Sequence, residues 1–184
     1  AFAAAPWFER QTRQVERSEG APLELIALYP PGYDAAARAM IDTTIGALGH
    51  FGENYGVYPY DTLTTIMPPS SASGAAGMEY PMLFMSAGPF FDHTSLPFGS
   101  TAPLVLQEHV TAHELGHQWF QGMVASNEVA FPMLDEGLTE WSTTDYLKAR
   151  YGQRSAAHLP FVDLPVHSFH RLMALAGAPT PPPG

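Results

Sequence analysis

The sequence contains no cysteine and few basic residues. Without cysteine it can form no disulfide, thiolate metal site or cysteine nucleophile, so His, Asp and Glu remain as candidate metal ligands. Only 8 Lys and Arg residues stand against 18 Asp and Glu residues, which gives a formal net charge of -10. Because this charge repels phosphate backbones and anionic membrane surfaces, we expect neither nucleic acid nor a membrane as a partner.

Long hydrophobic runs are also missing. No stretch of about 18 apolar residues could span a bilayer, and the N-terminal AFAAAPWFER lacks the basic start of a signal peptide. The sequence leaves the compartment open, and we favour the cytoplasm slightly. With 46% hydrophobic residues among 184, the chain can bury a core. It has no initiator Met and begins in an apolar run, so we expect it to be part of a longer protein.

Hydrophobic periodicity predicts a mixture of strands and helices. The first thirty residues carry two β-like patterns, and the clearer one is LELIALY, residues 23–29. Further strands are predicted at 63–67 and across GMEYPMLFMS, residues 77–86, with an irregular loop at 88–100. Predicted helices cover 34–55, 101–121 with Gly122 as its stop, and 135–150 with Gly152 beyond its end. Prolines interrupt the remainder, so we divide the chain into a domain at 1–154 and an irregular segment at 155–184.

The segment TAHELGHQWFQG, residues 111–122, places two histidines four positions apart. Residues four apart on an α-helix lie on one face, about 6 Å apart along the axis, so His113 and His117 project together. A catalytic zinc binds three protein ligands and keeps one position for water. Glu114 lies about 100° around the helix from His113, where it can contact such a water as a general base. The pattern therefore predicts two metal ligands and a base on one helix.

The third ligand is expected on the predicted helix at 135–150, in LDEGLTEW. Asp135 and Glu136 open that helix, and Glu140 follows one turn after Glu136. If Glu136 binds the ion, Glu140 can hold the outer nitrogen of a ligand histidine; alternatively, all three carboxylates only complement the helix dipole. His109 lies about 12 Å along the axis from His117, which is too far to share one ion, so we expect it to pack or to form a hydrogen bond.

HELGH, eighteen further residues and the glutamate of DEG resemble the aminopeptidase N family of gluzincin zinc metallopeptidases. Thermolysin relatives share this layout with one more intervening residue. Upstream, GAAGMEYP is similar to the family's G-x-M-E-N exopeptidase segment in its G-M-E-Y-P form. The resemblance implies an α+β, thermolysin-like catalytic domain. In it, a small mixed sheet with the GMEYP strand at its edge would pack on the helices that carry HELGH and DEG.

The resemblance also implies an activity and a set of site residues. The chain would be a zinc-dependent aminopeptidase that hydrolyses the N-terminal peptide bond of peptides with a free N-terminus. A zinc-activated water would attack that bond, with Glu114 as the general base. Glu79 would bind the substrate's α-amine within the substrate-binding segment that includes Gly77 and Met78. The ligands of one zinc ion per chain would be His113, His117 and Glu136.

Parts of the family pattern have no counterpart in this sequence. The family's transition-state tyrosine would fall beyond residue 184, and its N-terminal β-domain and C-terminal helical domain also lie outside the chain. We therefore expect the missing portions of a parent chain to be partners, and this chain alone to be impaired. Two alternatives stay open: a zinc endopeptidase of thermolysin type, and a zinc-binding fragment that is catalytically silent.

Overall fold

A computed structural model of the chain describes residues 1–69, 72, 77–86, 102–152, 157–159 and 162–164. Its strands are β1 (Glu9–Val15), β2 (Leu23–Tyr29), β3 (Thr62–Ile66), β4 (Met78–Tyr80), β5 (Leu83–Met85), β6 (Ala157–Leu159) and β7 (Val162–Leu164). Its helices are α1 (Asp34–Tyr55), α2 (Ala102–Gly116) and α3 (Glu136–Tyr151), with a short 3-10 helix at Pro132–Leu134. Among the described residues, no helix combines the length and the apolar character that a bilayer span requires.

Strands β1 to β5 form one mixed sheet in the order β1-β2-β3-β5-β4. The inner pairs β2–β3 and β3–β5 are parallel, whereas the outer pairs β1–β2 and β4–β5 are antiparallel. Strand β4, which carries Met78 and Glu79, lies at one edge of this sheet. The predicted α+β class, the small mixed sheet and the edge position of the GMEYP strand are therefore confirmed.

Strand β2 and helix α1 each bury one face in the hydrophobic core. Along β2 every second residue is buried, which is the period-two pattern of a strand with one face on a core. Helix α1 buries apolar residues at helical spacing and packs against β2, α2 and α3. The largest fully buried side chains of this core include Tyr58, Phe51, Phe84, Leu115 and Leu147.

The predicted single strand at 77–86 is wrong, because the chain reverses in its middle. Residues Pro81 and Met82 separate β4 from β5, and the two strands pair as an antiparallel hairpin. Pro81 has no backbone N–H, and Met82 takes a left-handed conformation with φ 62°. Neither residue fits the interior of a continuous strand, so the apolar run folds back on itself.

The predicted end of the HELGH helix is also wrong, because α2 ends at Gly116 rather than at residue 121. The amides of Gln118 and Trp119 bond to carbonyls three residues back, at 2.9 and 3.0 Å, which tightens the chain into turns. Gln121 then adopts φ 86°. Glycine is required at position 122 because a Cβ there would lie 2.6 Å from the carbonyl oxygen of Gln118. The residues between Gly116 and Gly122 therefore form tight turns instead of continuing the helix.

The other predicted boundaries lie close to the observed ones. Helix α1 and strand β2 have the predicted ends, and α3 and β3 differ by one residue. Within the predicted C-terminal segment, the strands β6 and β7 pair antiparallel. The division of the chain at residue 154 stays a prediction, and the predicted loop at 88–100 lies outside the described residues.

Candidate metal centre

Helices α2 and α3 pack closely and run in opposite directions. Glu108, in the first half of α2, contacts Arg150 at the end of α3 with an Oε1–Nε distance of 2.7 Å. His113, later in α2, contacts Glu136 at the start of α3. Glycine at position 116 permits this approach, because a Cβ there would lie 3.0 Å from a methyl group of Thr139. The packing therefore places the HELGH segment opposite the start of α3.

The three predicted metal ligands converge on one point. The Nε2 atoms of His113 and His117 are 3.3 Å apart, and Glu136 Oε2 lies 3.2 Å from the first and 3.8 Å from the second. Donors that bind zinc at 2.0–2.1 Å in a tetrahedron are about 3.3–3.4 Å apart. The three donor atoms are thus spaced roughly like three corners of a zinc tetrahedron.

The three candidate ligands differ in how far their side chains are exposed. The side chain of His117 is 1% exposed and that of His113 is 17% exposed, whereas that of Glu136 is 60% exposed. The histidines therefore form the inner wall of the centre, and Glu136 lies on its solvent side. A further group such as water can reach these three donors from the side of Glu136 without crossing the core.

A carboxylate lies behind each ligand histidine. Glu140 Oε2 is 3.3 Å from His113 Nδ1, and Asp135 Oδ1 is 2.6 Å from His117 Nδ1. Such outer partners fix the tautomer that leaves Nε2 free to bind metal. The position of Glu140 beside the outer nitrogen of His113 is the one that the first of its two interpretations requires. The contact of Asp135 with His117 is not predicted from the sequence.

His109 is the third histidine of α2, and it also contacts Glu140. Its Nε2 lies 3.3 Å from Glu140 Oε2, the oxygen that also faces His113. The rings of His109 and His113 are stacked with their centroids 6.2 Å apart. His109, His113 and Glu140 lie close enough together to hold a cation. However, the same carboxylate oxygen of Glu140 already lies 3.3 Å from a nitrogen of each imidazole. His109 thus lies beside His113 and Glu140 and is not one of the three residues that converge.

Glu114 is a buried carboxylate at the edge of this centre. It is 8% exposed, and its Oε2 has no hydrogen-bond partner among the described residues. Burial raises the pKa of Glu114 to about 8; the charge of His113 opposes that rise, and Glu79, Glu136 and Asp135 add to it. A carboxylate with a pKa near neutrality can both accept and return a proton, as a general base must.

The pKa of His113 reflects the cluster of acids around it. Burial alone would lower that pKa, but hydrogen bonds with Glu136 and Glu140 and the charge of Glu114 raise it to about 10. The same contact with His113 lowers the pKa of Glu136. This group of carboxylates therefore stabilises a positive charge at His113. A ligand imidazole is neutral, so a bound cation would take the place of the proton.

Two of the three predicted substrate-binding residues, Glu79 in β4 and the preceding Gly77, lie close to this centre. A ligand oxygen of Glu79 lies within 4.8 Å of donor atoms of His117 and Asp135. Gly77 lies against the Glu114 carboxylate, where an added Cβ would overlap it. Met78 is 38% exposed, and in the described part of the chain β4 pairs only with β5. The outer edge of β4 therefore presents backbone groups and one carboxylate next to the centre.

No protein-family model and no curated protein matches the chain. Among solved structures, the chain is similar to the crystal structure of Legionella pneumophila aminopeptidase A in complex with aspartic acid. The TM-score is 0.68 at 16% sequence identity, over 79% of this chain and 17% of that one. The chain thus has a peptidase-like fold, and it spans a small part of the length of that aminopeptidase.

Proposed function

We propose that the chain is the zinc-binding catalytic part of an aminopeptidase related to the aminopeptidase N family. The observation that carries this proposal is the convergence of His113, His117 and Glu136 to within 3.2–3.8 Å, with Glu114 beside them. The likeness to a solved aminopeptidase supports the fold that this function requires.

In the proposed reaction, His113, His117 and Glu136 would hold one ion. The Lewis-acid chemistry that zinc would supply there is a lowered pKa of a water molecule and a polarised scissile carbonyl. Glu114 accepts a proton from the attacking water and returns it to the leaving amine, and its buried, unpaired Oε2 is available for this role. Glu79 pairs with the ammonium group of the substrate, and the outer edge of β4, which pairs with no strand in the described part of the chain, aligns the peptide by strand addition.

The role of Glu114 is tested by Glu114→Gln, which keeps the shape of the side chain and removes the base. We expect hydrolysis of an aminoacyl chromogenic substrate to fall at least about a hundredfold, because general bases contribute roughly 10²–10⁴-fold. Zinc content by elemental analysis should stay at one per chain. Glu53→Gln, on the exposed face of α1, is the matched control and should keep full activity. Full activity in the Glu114 variant would remove this residue from the mechanism.

A comparison of free and N-acetylated peptides tests the role of Glu79. Acetylation removes the positive charge that Glu79 would bind, so an aminopeptidase should cleave the acetylated peptide far more slowly. Equal cleavage of both peptides would instead favour a thermolysin-type endopeptidase. Stoichiometric zinc without cleavage of either peptide would favour a silent metal-binding module.

A further inference from the structure

We infer that Gln118 is a positioning residue that fixes the substrate-binding strand β4 relative to the metal ligands. This inference rests on the proposed function, because it concerns how Glu79 is held at that site. Gln118 directly follows the ligand His117 and is 2% exposed. Neither the HELGH motif nor the GMEYP motif includes it.

Both ends of the Gln118 amide bond to the backbone of the β4–β5 hairpin. The Oε1 atom accepts a hydrogen bond from the backbone N–H of Met82 at 2.8 Å. The Nε2 atom donates one to the carbonyl oxygen of Tyr80 at 2.9 Å. A primary amide is the side-chain group that can accept and donate in this way while remaining uncharged. Gln118 therefore connects the segment that carries His117 to the residues on both sides of Pro81.

Strand β4 requires such a connection because it is short and pairs on one side. It has three residues, and in the described part of the chain its neighbour in the sheet is β5 alone. The turn that ends it includes Met82 in a left-handed conformation. At its other end, Gly77 packs against Glu114. The two ends of β4 are thus fixed to residues on either side of His117, one by close packing and one by Gln118.

The position of Glu79 depends on this arrangement. Glu79 is the middle residue of β4, between the contact of Gly77 and the bonds at Tyr80. Its carboxylate must lie at a fixed distance from the ion if the ammonium and the scissile carbonyl of one substrate are to bind together. A shift of about 1 Å in a positioning group can reduce a reaction about a hundredfold. Loss of the Gln118 bonds should therefore impair recognition of the free N-terminus more than binding of the metal.

The test compares two substitutions of Gln118 in the full 184-residue chain. Gln118→Met keeps the length of the side chain and removes both hydrogen bonds. Gln118→Glu keeps the acceptor for Met82 N–H and places a carboxylate oxygen against Tyr80 O, so it removes one bond. Gln14→Met, on the exposed face of β1, is the control. Three quantities are measured for each variant: zinc content, the ratio of kcat/KM for free and N-acetylated peptides, and amide hydrogen exchange.

We expect the ratio for free over acetylated peptide to fall at least tenfold in Gln118→Met, with one zinc per chain retained. Exchange at the Met82 amide should accelerate at least tenfold, whereas amides in β2 and β3 keep their rates. Gln118→Glu keeps the acceptor of the Met82 amide, so exchange at Met82 should stay near its original rate, whereas the peptide ratio should fall with zinc retained. This variant supplies the peptide ratio if Gln118→Met does not fold. Gln14→Met should match the original chain in all three measurements.

Two results would overturn the inference. One is unchanged exchange at Met82 in Gln118→Met, because the bonds would then not hold the hairpin. The other is an unchanged peptide ratio in a folded Gln118 variant. If the original chain itself cleaves both peptides equally, the proposed function fails separately, and the exchange measurement still decides whether Gln118 fixes β4.

Discussion

Asp135 is a buried carboxylate beside His117, one of the three proposed metal ligands. It is 3% exposed, and its carboxylate is the nearest acid to His117 Nδ1, at 2.6 Å. The Thr139 hydroxyl lies near the same nitrogen at 3.3 Å. Both groups face Nδ1 rather than Nε2, so in the proposed site they would orient His117 with Nε2 toward the metal.

We predict that Asp135→Ala weakens zinc binding about tenfold to a hundredfold, because loss of an outer partner has that effect on metal sites. The measurement is competitive titration against a chelator that reports free zinc. Asp145→Ala is the matched control: Asp145 also pairs with a histidine, at 3.0 Å from His50, but away from the centre. Equal zinc affinities in the two variants would contradict the role given to Asp135.

At the residue scale, the sequence identifies the three residues that converge but not Asp135, the carboxylate beside one of them. The spacing of His113 and His117 follows from helical geometry, and Glu136 followed from a family pattern. Asp135 was missed because its contact depends on how the start of α3 is oriented, which spacing does not reveal. The requirement that each ligand histidine have an outer partner is the signal that could have identified it.

Among the elements, β4 and α2 meet with almost no space between them. A Cβ on Gly77 would overlap the Glu114 carboxylate, and Gly77 does not lie in the left-handed region that would itself demand glycine. The constraint at this position is therefore the space between the strand and the helix, not the conformation of the backbone.

Gly77→Val should accordingly displace the Glu114 carboxylate while leaving the metal ligands in place. We predict that kcat/KM falls at least about tenfold and that zinc content is unchanged, because a displaced base loses part of its contribution. The control is Gly49→Val in α1, where a Cβ would meet nothing within 4 Å. Activity equal to that of the original chain would show that Glu114 can move aside and still act.

Hydrophobic periodicity is enough to predict the boundaries of some elements. Helix α1 and strand β2 were predicted correctly because each shows one clear period and packs one face on the core. The hairpin β4–β5 was read as one strand because every residue but Pro81 suits a sheet. The early end of α2 was missed because it depends on backbone bonds made by Gln118 and Trp119, and these have no compositional signal.

For the whole molecule, the candidate centre joins parts of the chain that are distant in sequence. The histidines come from the α2 region, Glu136 comes from α3, and Glu79 comes from the edge of the sheet. These side chains come together only in the folded chain. A metal that binds there therefore favours the folded state over the unfolded one.

We predict that zinc stabilises the chain with the logarithm of its concentration over Kd, by about 2.7 kcal/mol when that concentration is a hundredfold above Kd. For a chain of this length, that corresponds to a rise in Tm of about 5–10 °C, measured by calorimetry before and after treatment with a chelator. Magnesium should give no comparable rise, because it prefers six oxygen ligands and this site offers two imidazoles. In His113→Ala the Tm should no longer respond to zinc. A response to zinc in that variant equal to the one in the original chain would show that the ion binds elsewhere. No response in either protein would mean that the converging donors do not hold zinc.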